Sequence, residues 1–208
     1  MRAEPRLEYL GDVYKPSDDT WLLLEVLESS SAHGDTCVDL GCGSGVLGIY
    51  ALLNSRCKRV VFIDVHDDAV KTTSVNVALN AVAAFSVIVQ SDACDTLPIR
   101  SSSVDIVLAN PPYLPAEDHA ARDEAVNGGV EGYEKALCFI RASTSILRQC
   151  GRFYLVYSSL SKPSVIRSQL ERLGYAVTLE RTRNFFFEAL TALEGVFTRE
   201  SQSCTSRN

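Results

Sequence analysis

Five short apolar runs, separated by stretches of helical periodicity, organise most of this chain. Thr36 to Leu40, Arg59 to Asp64, Phe85 to Gln90, Val104 to Ala109 and Gly151 to Tyr157 are rich in apolar, β-branched or aromatic residues and too short for buried helices. Between them, Val46 to Leu53, Asp67 to about Asn80 and roughly Gly132 to Arg148 read as helices. A further helix over Asp18 to Leu27, capped by Ser17, precedes the first strand, with Asp18 and Asp19 at the positive end of its dipole. Strands alternating with helices predict βαβ units and a parallel sheet. The ending breaks that rhythm. After a helix near Pro163 to Leu173, the strands Tyr175 to Glu180 and Phe185 to Leu193 are joined only by Arg181-Thr182-Arg183-Asn184. A parallel crossover needs about a dozen residues, so these two strands form an antiparallel hairpin. Residues 1–200 are expected to form one domain, and the polar Ser201 to Asn208 a disordered tail.

Composition narrows the partners. The 208 residues carry a formal charge of −6, with 46% hydrophobic and 22% charged, an ordinary globular balance. No Lys/Arg cluster supplies the basic stripe with which a protein grips phosphates unaided, so direct nucleic-acid binding is not expected. No apolar stretch approaches the ~18 residues of a membrane span, and Met1 to Arg6 carry no signal-peptide core. The expectation is a cytoplasmic protein, with the nucleus also open. Cys37, Cys42, Cys57, Cys94, Cys138, Cys150 and Cys204 are odd in number, scattered, and without a C-x-x-C pair. Reduced, mostly buried thiols are expected rather than disulfides or a zinc site. His33, His66 and His119 are too dispersed to suggest a metal site.

The chemistry gathers at strand ends. Val104-Asp105-Ile106-Val107-Leu108-Ala109 runs into Asn110-Pro111-Pro112-Tyr113. Each proline fixes φ and removes a donor, so carbonyl oxygens are presented without competing N–H groups, and Asn110 before a proline stays extended. Such a turn can accept two hydrogen bonds from a planar –NH2 group while the Tyr113 ring packs on its face. The plainer alternative makes Tyr113 a ring that covers the end of the core. Asp39-Leu40-Gly41-Cys42-Gly43-Ser44-Gly45 follows the first strand and opens a helix, where glycines let backbone approach a ligand. A dinucleotide fingerprint would place its third glycine at position 46, which is Val46. Asp64 ends the second strand, where a carboxylate can take two ribose hydroxyls. Ser91-Asp92-Ala93 follows the third, with a carboxylate and a backbone N–H suited to an adenine edge. Taken singly, the glycines form a tight turn and Asp64 caps the next helix. Three such turns at successive strand ends favour a nucleoside cofactor. Where strand order reverses, the turns after the first and fourth strands flank one crevice, which brings cofactor and amine together.

The G-x-G-x-G turn with Asp39 before it resembles motif I of S-adenosylmethionine-dependent methyltransferases. Asn-Pro-Pro-Tyr resembles amino-methyltransferases acting on adenine, guanine or glutamine amides. Two more segments select among these. Tyr14-Lys15-Pro16-Ser17-Asp18-Asp19-Thr20 resembles the Y-x-P-x-x-D-T segment of HemK-like release-factor glutamine methyltransferases, and Gly128-Gly129-Val130-Glu131-Gly132 their G-G-x-[DE]-G element. The likeness runs from about Tyr14 to Leu193 and is to the short eukaryotic and archaeal branch, because the first strand begins too early for the extra helical domain of bacterial members.

That resemblance implies a Rossmann-like class I methyltransferase whose mostly parallel seven-stranded sheet has the order 3-2-1-4-5-7-6. It implies S-adenosylmethionine as cofactor, contacted or lined by Thr20, Asp39, Gly41, Gly43, Asp64, Asp92, Ala93 and Asn110. It implies catalysis at Asn110, Pro111 and Tyr113, with Pro112 in the same substrate cradle. The implied substrate is the glutamine of the Gly-Gly-Gln loop of a class I release factor, and the implied partner a small zinc-binding activator. Strand Phe85 to Gln90 would be a sheet edge without charge or proline to guard it, so the activator is expected to add a strand there. The acids of Pro115 to Glu131 read mostly as a solvated loop, with Gly128 and Gly129 letting a lid close. Methylation of DNA adenine, of RNA, or of another protein residue such as lysine is the alternative activity. A non-catalytic methyltransferase-fold subunit would have no need of an intact Asn-Pro-Pro-Tyr turn.

Overall fold

A computed structural model gives the fold and describes residues 2–115, 127–198 and 204. Seven strands form the main sheet: β1 (Gly34–Leu40), β2 (Cys57–Asp64), β3 (Ser86–Gln90), β4 (Val104–Ala109), β7 (Leu147–Ser158), β8 (Tyr175–Asn184) and β9 (Ala189–Phe197). Their order is β3-β2-β1-β4-β7-β9-β8, the expected 3-2-1-4-5-7-6 with β7, β8 and β9 as the last three strands. β1 pairs in parallel with β2 and β4, β2 with β3, and β4 with β7, whereas β9 lies antiparallel between β7 and β8.

Helices cover both faces, because alternate strand residues are apolar in both directions. Ile106 and Leu108 of β4 join one core with α1 (Asp18–Ser29), α2 (Val46–Leu53) and α3 (Asp67–Leu79). Val107 and Ala109 join the other, against α4 (Glu134–Ile146) and α5 (Pro163–Arg172). Continuous apolar runs are what a strand buried on both faces requires. α1 is clamped to the far half of the sheet through Leu22, Leu23, Val26 and Leu27, all 2% exposed or less. Beyond its end, Glu194 of β9 is buried and accepts hydrogen bonds from Ser30, Tyr154 and Thr178 and an ion pair from Arg152. Burial pushes that carboxyl up, but the three hydroxyl donors and the Arg152 charge outweigh it and hold it below its ordinary range.

Three local expectations are corrected. The hairpin turns at Phe185–Glu188, not at Arg181–Asn184: β8 runs on to Asn184, and the Phe185 N–H meets the Glu188 carbonyl at 2.7 Å. β8 is an outer strand, along which the exposed Arg181 donates to Ser29 and the half-buried Arg183 pairs with Asp18 and Glu25 of α1. Ser17 precedes α1 but its side chain makes no capping bond. Asp19 turns inward instead and takes the Thr20 N–H at 2.6 Å. Finally, six of the seven cysteines pair, as Cys37–Cys57, Cys94–Cys138 and Cys150–Cys204, leaving Cys42 free and buried. Their Cα atoms lie 6.0, 5.3 and 5.7 Å apart. Such proximity is set by strand and helix neighbours 20 to 54 residues away, which spacing along the chain does not reveal.

A small sheet that the apolar pattern did not announce pairs β5 (Leu114–Pro115) with β6 (Asn127–Gly129). The acids Glu117, Asp118, Asp123 and Glu124 lie outside the described residues, as does the tail apart from Cys204. Glycine is required at 128, where a Cβ would come within 2.4 Å of the Gly132 carbonyl oxygen and 2.7 Å of Tyr113 Cα. That segment is held directly against the Asn-Pro-Pro-Tyr turn.

Candidate active site

At the C-terminal ends of β1, β2, β3 and β4 a cavity of about 480 Å³ opens, within the range of small-molecule sites. Thr20, Gly41, Gly43, Asp64, Asp92, Ala93, Asn110 and Pro112 all border it. Strand register accounts for this convergence: Leu40 lies beside Ile63 and Ala109, and Asp64 beside Gln90, so the four turns emerge side by side.

The glycine turn is built around left-handed backbone. Gly41 has φ of 68° and a Cβ there would strike the Phe139 ring at 2.8 Å. A Cβ on Gly43, φ 52°, would meet nothing within 4 Å: the backbone forms an open floor to the cavity. Asp64 fastens that floor, its Oδ2 accepting the Gly43 N–H at 2.9 Å while its Oδ1 accepts the His66 N–H at 3.0 Å ahead of α3. Each oxygen keeps a further lone pair for a ligand donor. Asp92 closes its own turn, Oδ1 accepting the Cys94 N–H at 2.8 Å.

Asp39 stands apart from the cavity. It is fully buried behind the glycine turn, with Oδ2 accepting the Gly48 N–H at 2.8 Å inside α2 and Oδ1 without a partner among the described residues. Burial raises its carboxyl, the Gly48 bond lowers it, and the Asp64 charge raises it again, leaving it pushed up to about 8. A folded-state value above the unfolded ~4 means a stabilising contribution that is fully present below pH ~4 and lost as pH rises through about 8. Urea unfolding at pH 5 and pH 9 is therefore expected to show wild type losing stability relative to Asp39→Asn at the higher pH. An identical pH dependence in the two proteins would overturn this.

The second half of the site is organised by one buried carboxylate. Asp19, 2% exposed at the start of α1, accepts from the Tyr14 hydroxyl at 3.0 Å, the Tyr113 hydroxyl at 3.1 Å and Asn110 Nδ2 at 3.1 Å, besides the Thr20 N–H and hydroxyl. Asn110 Nδ2 also reaches Thr20 Oγ1 at 3.3 Å. A carboxylate accepts only, so the –NH2 end of Asn110 must face it. Asn110 Oδ1 is then turned the other way, buried and without a hydrogen bond among the described residues. Asn110 and Pro112 border both the main cavity and a smaller cleft completed by Tyr14, Asp19, Pro111, Tyr113, Leu114 and Glu188. Burial first, then the Asp19 charge, pushes both Tyr14 and Tyr113 far above the usual phenol range, so both stay neutral donors. Tyr113 does pack on the core, but its hydroxyl is engaged at the cleft.

The sequence marks Asp19 as a helix-terminal acid and as the acid of the Tyr14–Thr20 segment, without a role in the site, and does not single out Glu188. The signal available for Asp19 was its adjacency to Thr20 within the Tyr14–Thr20 segment.

A seven-stranded sheet of this order, with a glycine turn after β1 and acids after β2 and β3, is that of a Rossmann-like class I methyltransferase. The chain belongs to the Methyltransferase small domain family, which matches residues 15–186. It is 31% identical over 191 residues to methyltransferase HEMK2 of Mus musculus, covering 88% of each chain. It is 26% identical to the eRF1 methyltransferase catalytic subunit mtq2 of Schizosaccharomyces pombe, covering 93% of each. Among solved structures, the E. cuniculi Mtq2–Trm112 complex, responsible for methylation of the eRF1 translation termination factor, matches with a TM-score of 0.65 at 25% identity, over 89% of this chain and 99% of that one. No helix among the described residues is long and apolar enough to cross a membrane.

Proposed function

We propose that the chain transfers a methyl group from S-adenosylmethionine to the side-chain amide nitrogen of a glutamine, that of the Gly-Gly-Gln loop of a class I release factor. It acts as the catalytic subunit of a heterodimer with a small zinc-binding activator, and a translation factor as substrate puts the activity in the cytoplasm. The observation that carries this reading is the buried Asn110 Oδ1, without a partner among the described residues, at the junction of the two clefts. A buried acceptor left unpaired costs about 1–3 kcal/mol, so its natural complement is a donor brought by the substrate.

The cavity fits the cofactor. Gly43 leaves backbone open to it, Asp64 has lone pairs for ribose hydroxyls, and Asp92 with Ala93 borders the end suited to an adenine. When bound, S-adenosylmethionine supplies a methyl group activated by a sulfonium. Asn110 Oδ1 and the Pro111 carbonyl accept the two amide N–H groups and fix the acceptor nitrogen. Tyr113, tethered through its hydroxyl, packs on the amide plane. Orientation of this kind is worth up to ~7–11 kcal/mol in favourable cases, which an amide needs because its lone pair is delocalised. Acceptors on the N–H groups also stabilise positive charge as it develops on nitrogen. The family match and the mtq2 and HEMK2 relatives support this acceptor over a nucleic acid.

The activator is assigned to β3. Among the described residues this strand is an open edge of the sheet, carries no charge from Ser86 to Gln90, and exposes Val87 at 57%. The N-terminal segment leaves it open, being bonded instead to side chains of α3 and of Asn80, which caps it: Asn80, Asn76 and Thr72 receive the N–H groups of Arg6, Glu8 and Leu10. Val87→Lys is expected to weaken the heterodimer at least tenfold in a co-purification titration while leaving the fold intact. Undiminished complex formation would sink this placement.

The activity itself is tested by co-expressing the chain with its activator and supplying labelled cofactor to release factor, its glutamine variant and DNA oligonucleotides. Label on the release factor alone is expected. Equal labelling of the glutamine variant, or labelling of DNA, would refute the assignment.

A further inference from the structure

The turn between β8 and β9 has an unusual composition for its position. Tight turns favour Gly, Asn, Asp, Ser and Pro, which adopt turn geometry and tolerate water. Here the chain places Phe185, Phe186 and Phe187, and the last two are 92% and 85% exposed. Their rings pack edge-on to each other, with centroids 4.7 Å apart. Apolar side chains clustered in solvent mark interaction surfaces, and aromatic rings are the commonest energetic anchors of such surfaces.

The turn is also firmly held, which a docking element requires. Phe185 N–H donates to the Glu188 carbonyl at 2.7 Å, Ala189 N–H to Ser159 Oγ at 2.9 Å, and the fully buried Ser158 to Glu188 Oε2 at 2.6 Å. Its last residue enters the site. Glu188 lines the cleft with Asn110, Pro111 and Tyr113, and its Oε1 has no hydrogen bond among the described residues. A surface of exposed rings is therefore continuous, within two residues, with the cradle for the acceptor amide.

We infer that the β8–β9 turn docks the protein substrate. Phe186 and Phe187 seat an apolar patch flanking the acceptor loop, and Glu188 Oε1 accepts a backbone N–H of that loop. A glycine-rich loop suits this arrangement, because its N–H groups are unshielded by side chains. Glu188 binds the substrate backbone directly in this scheme. The inference rests on the proposed acceptor and adds how that acceptor is selected.

The test uses the activator-bound enzyme with the double variant Phe186→Ser/Phe187→Ser, and separately Glu188→Ala and Glu188→Gln. Binding of intact release factor to the cofactor-loaded complex is measured by calorimetry, alongside KM and kcat, melting temperature and sedimentation. The double variant is expected to weaken Kd and raise KM for the intact factor at least tenfold, with kcat, cofactor affinity and melting temperature unchanged. Glu188→Ala is expected to raise KM severalfold, and Glu188→Gln, which keeps an acceptor oxygen, to recover most of it. Unchanged Kd and KM in the double variant overturn the inference. So does dissociation of the activator or of a self-associated species, since the rings would then serve that contact. If wild type binds the factor but labels its glutamine variant equally, the acceptor assignment fails, and the Kd comparison still decides the docking surface.

Discussion

Replacing Asn110 with Ala is expected to lower kcat by two to three orders of magnitude while cofactor affinity stays within a few-fold of wild type. The size follows from what Oδ1 does in the proposed reaction. It is one of two acceptors that hold the amide N–H groups, and losing a single preorganised polar partner at a reacting centre typically costs ~10²–10³ in rate. Loss of orientation adds to that, because the Pro111 carbonyl alone leaves one of the two amide N–H groups unheld. The fold should tolerate the change. Asp19 keeps its donors from Tyr14, Tyr113 and Thr20, so only one of its hydrogen bonds disappears, a net effect of about 1 kcal/mol. Single-turnover labelling and calorimetric titration of the cofactor together check this. A variant with a tenth or more of wild-type activity would remove Asn110 from its assigned role, and one that no longer binds cofactor would make it a structural residue of the first cleft.

Legibility in the sequence followed the physics of each feature. The parallel strands were readable because burial on both faces leaves an unbroken apolar run, and β4 is found at Val104–Ala109 as read. The hairpin was misplaced by four residues for the converse reason. Arg181 and Arg183 belong to a solvated outer strand, while the turn carries the phenylalanines, so polarity pointed to the wrong segment. In the site, the turns were readable together rather than singly, because glycines or acids follow three successive strands. Asp39 was the exception: its position before the glycine turn suggested the ligand, but its carboxyl group secures the Gly48 N–H of α2 instead. The disulfides were invisible because nothing local marks two cysteines as neighbours across strands or between a loop and a helix. Asp19 was legible as the acid of the Tyr14–Thr20 segment, but its role was not, because an acid in the first turn of a helix already has a sufficient local explanation. Only the fold shows that it faces inward to Tyr14, Tyr113 and Asn110.

That inward carboxylate yields the second large effect. Asp19→Ala removes the acceptor shared by two phenols and the Asn110 –NH2. Leaving a buried donor unsatisfied costs about 1–3 kcal/mol, and water can reach the half-buried Tyr14 and Tyr113 more easily than the interior. A stability loss of about 2–4 kcal/mol is therefore expected, together with at least a hundredfold fall in kcat as Asn110 and Tyr113 lose their tether. Asp19→Asn separates the two consequences. Its oxygen can still accept from the phenols, so the stability loss should be smaller. Its new –NH2 group, however, competes for the place of an acceptor against Asn110 Nδ2, and the simplest relief is for Asn110 to flip and aim Oδ1 inward. The acceptor amide would then meet a donor. Asp19→Asn is thus expected to be nearly as inactive as Asp19→Ala but clearly more stable in urea, and full activity in Asp19→Asn would show that Asn110 is oriented by something other than this carboxylate.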